Sequence, residues 1–433
     1  MYPNSQNPFV VGTPVVPERF VGRKSLIAAA FDQINNRSHL AVWGGLEIGK
    51  TSFLVKLTSP DTWKQYGLDS SIAVIVRFSC KEVKPFTPFG FCKKLLSLLK
   101  DHLDTEPELQ ANINTVLAES RASIDSLRQL LVELAQRGKL LVLLIDDYDV
   151  ALVQSQEYSE ENMHQFLSEC RRLAVDTQSK RNISIIVTSK KRLNDLELSF
   201  NPNASPWYNH YLFRQIKLFD NTEIDQFLQP FNKPITADLR QAIGEIAGGH
   251  PSLLQIVSFL LYEELRNNTS PHVEEFVRKL ENSTQDFFDN TWQRCDSKDQ
   301  NLLMLMALAK LRARLERRRY DLKDVDLIFT QSERNLTNLE EQGVIKRTAN
   351  NGNISSYLFT SSLMEKWVIQ EIWNFDDDLL TKRQKEFLNL MSHQQAENMK
   401  NAIVWVGKHK NDVISSLKFI YPIVEKIIKF FVV

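Results

Sequence analysis

An excess of charge of one sign is missing: 53 Lys and Arg stand against 53 Asp and Glu. The chain as a whole is therefore no electrostatic partner for nucleic acid or acidic lipid, and any such contact has to be local. Cysteine is scarce. Cys80, Cys92, Cys170 and Cys295 are scattered without a C-x-x-C pair, which fits neither a disulfide framework nor a zinc site and suits a reducing compartment. Ordinary buried thiols are expected. The opening MYPNSQNPFVVGTPVVPERF lacks a basic region followed by an apolar one, and no run approaches the roughly 18 apolar residues of a membrane span. A soluble, cytoplasmic protein without a transmembrane segment is the expectation. Internal repeats and low-complexity tracts are also missing.

What is present is length. A chain of 433 residues with 43% hydrophobic content exceeds one ordinary core, so two to four packed units are expected. After an entry segment (1–19), GRKSLIAAAFDQIN has helical apolar spacing and SHLAVWG reads as a short buried strand ending at Gly44. Four more β-rich runs follow, at 71–79, 139–147, 182–189 and 210–218, separated by helical stretches. That alternation predicts an α/β domain over 20–219, a mostly parallel sheet with helices on both faces. Beyond it the strand signal stops, and consecutive helical runs predict a helical lid over 220–296. Three helical runs and two β-rich runs around an Asn-Gly turn predict a winged-helix domain over 297–375. A helical tail over 376–433 is locally basic, with nine Lys and Arg against four Asp and Glu from Leu380 onward.

The chemistry concentrates after the first strand. Gly44-Gly45-Leu46-Glu47-Ile48-Gly49-Lys50-Thr51 satisfies G-x-x-x-x-G-K-[ST], in which successive backbone N–H groups wrap a phosphate at a helix N-terminus. Glycines permit the turn, Lys50 supplies charge to the β and γ phosphates, and the Thr51 hydroxyl is a Mg²⁺ ligand. Ser52, next in line, belongs to the same nucleotide site. The expected ligands are ATP or ADP with Mg²⁺. A metal-holding carboxylate at another strand end should accompany such a loop, and LLVLLIDDYD provides it. Asp146 follows the apolar run where an acid would hold Mg²⁺, and Asp147 stands where a neighbouring acid orients the attacking water. Aspartate is shorter than glutamate at this second place, so slow hydrolysis is expected. IIVTSKKRL puts Thr188, Ser189 and Lys190 at the end of the next strand. They would stand level with the phosphates if the sheet is wound as in the additional-strand class of P-loop ATPases. Lys190 is then a candidate γ-phosphate sensor with a catalytic role; a helix cap and a solvated turn are the alternative reading.

FVGR (20–23) ahead of the loop, IDDYD, VTSKK and GGHP (248–251) together resemble the STAND branch of AAA-like signal-transduction ATPases, closest to its compact prokaryotic members, over roughly residues 7–373. The resemblance implies that Phe20, Val21, Gly22 and Arg23 lie against the adenine, and that Gly249-His250-Pro251 presses the lid on base and ribose. It also implies a nucleotide-controlled switch that oligomerises on exchange of ADP for ATP and drives a protein effector or sensor partner, with bacterial defence or stress signalling as the analogous setting. Two departures stand out. Thr188-Ser189-Lys190 replaces a motif that usually ends in arginine, and lysine carries the charge without the fork. No repeat array or effector domain is visible.

The rival class is a DNA-acting ATPase of the origin-recognition or transposition-regulator kind. LRARLERRRY gathers Arg312, Arg314, Arg317, Arg318 and Arg319, a patch able to meet DNA phosphates; a solvated loop or subunit contact is the reading preferred here. In the tail, Val413, Leu417, Ile420, Val424, Ile427 and Phe431 recur at steps of four and three, with Ile414, Tyr421 and Ile428 beside them. Pro422 should start or kink a helix. Such a face needs a cover, either the protein's own core or another chain, and the expectation here is a partner or oligomer seam.

Overall fold

The computed structural model describes residues 6–175, 182–196, 206–231, 236–267, 272–315, 320–322, 325–348, 356–375 and 377–432. The chain forms two compact units, one of residues 14–216 and one of residues 1–13 with 217–433.

In the first unit, strands β1 (His39–Trp43), β2 (Ala73–Ser79), β3 (Leu140–Asp146), β4 (Ile183–Ser189) and β5 (Tyr211–Gln215) form one sheet in the order β2-β3-β4-β1-β5. All its pairings are parallel. Helix α1 (Lys24–Asn35) precedes β1, and between the strands run α2 (Lys50–Leu57), α3 (Pro60–Gln65), α4 (Pro88–Asp101), α5 (Pro107–Ala118), α6 (Ile124–Gln136) and α7 (Glu160–Val175). Every residue of β1, β3 and β4 is buried, as strands covered on both faces must be, and this is why they read as continuous apolar runs. Leu141, Leu143 and Ile145 share a core with side chains of α4 to α7, while their neighbours Leu140, Val142 and Leu144 point to the opposite face. Helices α1 and α2 pack there, against β1, β3 and β4. The cap residues are legible: Thr87 and Ser123 accept from the backbone N–H groups of Gly90 and Ser126 at the starts of α4 and α6.

Register brings the strand ends to one edge. Trp43 pairs with Ser189 and Gln215, and Ser79 with Asp146. Since β1 lies inside the sheet and β2 at its edge, the chain crosses over two strands after β1. Ligands of open α/β sheets bind at such carboxyl ends.

The second unit contains α8 (Asn221–Leu228), α9 (Ala237–Ala247), α10 (Pro251–Arg266) and α11 (Val273–Arg294). Then come α12 (Ser297–Arg314), α13 (Val325–Gln331), α14 (Glu333–Glu341), an antiparallel hairpin of β6 (Ile345–Thr348) and β7 (Ser356–Phe359), and α15 (Ser362–Trp373). The chain closes with α16 (Asp377–Phe387), α17 (His393–Lys408), α18 (Lys410–Leu417) and α19 (Ile420–Val432). The Asn-Gly turn between β6 and β7 lies outside the described residues. The chain's beginning belongs to this unit: Phe9 is buried among Phe227, Phe231 and Tyr262. Asn7 donates to the Phe259 carbonyl and the Val10 N–H to Gln255 Oε1.

The apolar face of the tail is a correction. Val413, Leu417, Ile420, Val424, Ile427 and Ile428 are buried, and α19 packs on α9, α10 and α11 of its own unit. The face expected to await a partner is thus covered from within, because α9, α10 and α11 offer an apolar surface that the sequence pattern of the tail cannot reveal. Ile414 remains exposed, and the Phe431 side chain lies outside the described residues. Pro422 sits in the first turn of α19, where a missing N–H costs nothing.

Candidate nucleotide site

The loop after β1 takes its shape from three local facts. A side chain at Gly44 would run into the side chain and carbonyl of Ile216, at 2.7 and 2.8 Å from its Cβ, so glycine is required by close approach. Gly49 has φ +98°, a left-handed turn that ends the loop and starts α2 at Lys50. Between them Ile48 is buried and pins the loop to the core. The Lys50 ammonium donates to the carbonyls of Gly44 and Gly45 at 2.8 and 2.6 Å, which sets its charge across the loop. Leu46 and Glu47, at the loop's crown, are half-buried and exposed.

Asp146 is the centre of the site. It is 4% exposed, and three donors converge on it. Thr51 Oγ1 donates to Oδ2 at 2.5 Å, the Asp147 N–H donates to Oδ1 at 3.1 Å, and the Thr188 hydroxyl donates to Oδ1. Two residues expected from separate motifs, Thr51 and Asp146, are therefore in direct contact although 95 positions apart. Their oxygens are hard donors of the kind Mg²⁺ takes. Among the described residues no group of three or more His, Cys, Asp and Glu side chains could hold a metal.

Other expected site residues are placed differently. The Asp147 side chain turns toward β2, where Oδ2 accepts from Ser79 Oγ at 2.8 Å and Oδ1 pairs with Lys81 Nζ at 2.6 Å. Lys190 pairs through Nζ with Asp149 Oδ2 at 3.5 Å, and its N–H donates to Asp149 Oδ1. Of the strand-end trio, the buried Thr188 reaches Asp146, whereas Ser189 donates to the Lys191 carbonyl. Ser52 Oγ accepts from the Val15 N–H, holding the entry segment on α2, and Lys56 fixes the Pro17 carbonyl beside it.

Phe20 and Val21 are half-buried. Gly22 and Arg23 are left-handed, at φ 68° and 58°, and the buried Arg23 guanidinium donates to the Ile48 carbonyl at 3.3 Å. Arg23 thus braces the loop 44–51. His250 and Pro251 stand in the other unit. Gly248 and Gly249 ahead of them are both left-handed, and a Cβ at either would lie 2.5 Å from a carbonyl oxygen, of Thr360 or Phe219. His250 is buried, with its ring on Phe287, and Pro251 opens α10.

Sequence reading missed Ser79, Lys81 and Asp149. Ser79 ends a recognisable β-rich run, so its strand-end place was the available signal; that β2 neighbours β3 was not available. At Cys80, next to it, burial above all, then the charges of Asp147 and Asp149, push the thiol well up.

No protein-family model matches the sequence, and no curated protein matches it. Solved structures do. The Walker-type ATPase PABY2304 of Pyrococcus abyssi superposes with a TM-score of 0.53 at 15% identity, covering 83% of this chain and 99% of its own. The ORC2 protein of Aeropyrum pernix, in ADPNP and ADP complexes, gives 0.51 at 12% identity, covering 92% and 96%. A STAND protein with a tetratricopeptide repeat sensor from Pyrococcus horikoshii gives 0.34 at 15% identity, over 97% of this chain and 54% of its own, a likeness too slight to separate switch from initiator. At these identities the likeness is one of fold, and the fold is that of the P-loop ATPases.

Proposed function

We propose that this chain binds ATP and ADP with Mg²⁺ at the loop 44–51 and hydrolyses ATP slowly, as a STAND-like molecular switch. The observation that carries the reading is the meeting of Thr51, Asp146 and Thr188 beneath the glycine loop at the carboxyl edge of the sheet. In this reading the loop N–H groups and Lys50 hold the phosphates, and Thr51 and Asp146 hold Mg²⁺. The cation would draw charge off the phosphate oxygens. Thr188 orients the buried carboxylate of Asp146 by donating to it. Phe20 to Arg23 border the same loop, and nucleotide exchange governs self-assembly and an effector.

The rival reading, a DNA-acting ATPase, draws less support from its own motif. Arg312 pairs with Asp321, and Arg314 pairs with Glu365 and lies over the Phe419 ring, so neither offers an uncommitted charge to phosphate. Arg317 to Arg319 lie outside the described residues.

The test is a pair of substitutions read by nucleotide titration and phosphate release. Lys50→Ala should lose affinity for ATP and ADP by about tenfold or more, the loss of one charge-assisted contact. Asp146→Ala should abolish Mg²⁺-dependent turnover. A parent-like result for either variant would remove the assignment.

A further inference from the structure

Among the described residues, five that are not glycine take positive φ: Arg23, Arg37, Glu47, Ser120 and Asp147. Such a backbone costs an L side chain conformational energy that glycine escapes, so each needs a local reason. Two have an ordinary one. Arg37 and Ser120 close α1 and α5 in the usual helix-ending turn, with the Ser38 and Arg121 N–H groups donating back to the carbonyls of Gln33 and Val116. The other three border the candidate nucleotide site. Arg23 donates to the Ile48 carbonyl, the Asp147 N–H donates to Asp146, and Glu47 stands in the loop itself at φ 49°. Backbone strain of this kind gathers at ligand sites, and seeing it is a reason to look for a role.

The neighbours of Glu47 fix its backbone. Ile48 on one side is buried and held through its carbonyl by Arg23, and on the other side the carbonyls of Gly44 and Gly45 accept from Lys50. The left-handed turn at 47 is imposed by the loop, and glycine would meet it without strain. What glutamate adds is charge. Glu47 is exposed, but its carboxylate hangs on two methylenes from a loop whose N–H groups, on the nucleotide reading, wrap a phosphate. Whatever direction it takes, it stays within the Debye length of about 8 Å from its own backbone at ordinary ionic strength. A phosphate entering the loop therefore meets the Lys50 cation and, three residues before it, an anion. The two act on the same ligand with opposite sign.

We propose that Glu47 sets how tightly the nucleotide is held: its charge opposes the phosphates, so that ADP binds more weakly and leaves faster than from the same loop with a neutral residue at 47. The loop is thereby tuned toward exchange. Glu47 acts on affinity and takes no part in bond breaking. The inference rests on the nucleotide reading above.

The experiment uses the full-length chain and a fluorescent ADP with Mg²⁺, and measures affinity and dissociation rate for the parent, Glu47→Gln and Glu47→Gly. Glutamine keeps the size of the side chain and the strained backbone while removing the charge. Glu47→Gln should bind ADP more tightly by about fivefold, the scale of like charges partly screened by water, with most of the gain in slower dissociation. That gain should shrink as the Debye length falls from about 10 Å at 0.1 M salt to about 3 Å at 1 M. Glu47→Gly should gain as Glu47→Gln does. A Glu47→Gln variant that binds ADP as the parent does, or more weakly, overturns the inference and leaves the nucleotide reading standing. A gain confined to Glu47→Gly does the same, since relief of the backbone is then the cause. A gain in Glu47→Gln that salt leaves untouched also overturns it, because charge is then not what opposes the phosphates. A parent that binds no ADP overturns the nucleotide reading and the inference together.

Discussion

His39, the first residue of β1, is kept neutral by its neighbours. The Ile185 N–H donates to Nδ1 at 3.1 Å, so Nε2 carries the proton that goes to the Ala174 carbonyl at 3.0 Å. Burial lowers its pKa from 6.5 to about 4, against the smaller opposing effect of that carbonyl bond. Beside it, burial lowers His210 to about 3. Below pH 6.5 the unfolded chain takes up protons that the folded chain refuses, so the stabilisation is full above that pH and is lost as pH falls toward 4. For His39 the loss is on the order of 3 kcal/mol. Urea unfolding at pH 7.5 and pH 5 should show about 2 kcal/mol of it, and His39→Gln should remove that share of the dependence and leave the share of His210. At the candidate nucleotide site, on the proposed ATPase reading, Thr188→Val should lower turnover while leaving ATP affinity near the parent's. The hydroxyl serves Asp146, and the valine leaves a buried carboxylate short of a donor at a cost of about 1 to 3 kcal/mol. Calorimetry and phosphate release would separate the two effects. A sequence reader finds Thr188 at a strand end but cannot tell whether it faces phosphate or carboxylate, since that depends on the pairing of β4 beside β3.

Among the elements, the tail carries the clearest consequence. With six large aliphatic side chains of α18 and α19 buried, removal of residues 411–433 should destabilise the chain by several kcal/mol, since each well-buried side chain contributes about 1.5 to 3 kcal/mol. A truncated protein that melts with the parent would contradict the packing of α19 on α9 and α11. The basic run at the end of α12 is also structural in part. Arg314→Ala leaves the buried Glu365 without its cation, and the expected cost is about 2 kcal/mol, below that of a fully buried pair because Arg314 is partly exposed. Thermal denaturation would read it. Helices and strands themselves were legible: the apolar runs at 139–147 and 182–189 became β3 and β4 nearly residue for residue, because a strand buried on both faces leaves an uninterrupted signature. The tail's amphipathic face was legible too, but not what covers it.

The whole molecule joins the two ends of the chain. Phe9 belongs to the unit built from residues beyond 216, so Phe9→Ala should destabilise that unit by about 3 to 5 kcal/mol, as loss of a buried ring does. A calorimetric trace of the variant should show the change in the transition of that unit. The glycine loop, its lysine and threonine, and the acid after an apolar strand could be named from residue types and spacing alone, because phosphate binding needs a backbone shape that only glycine permits and a charge at a given distance along the chain. The parallel sheet followed from the alternation of apolar runs with helical stretches. Which acid faces the loop was decided only in the folded sheet. The order β2-β3-β4-β1-β5 sets Asp146 toward Thr51 and turns Asp147 to Lys81, and no local rule links residues 51, 81, 146 and 188. The same holds for Arg23 under the loop and for the tail on α9, α10 and α11. Sequence patterns state what a side chain must bury or bind, whereas the partner that satisfies it is chosen by long-range packing.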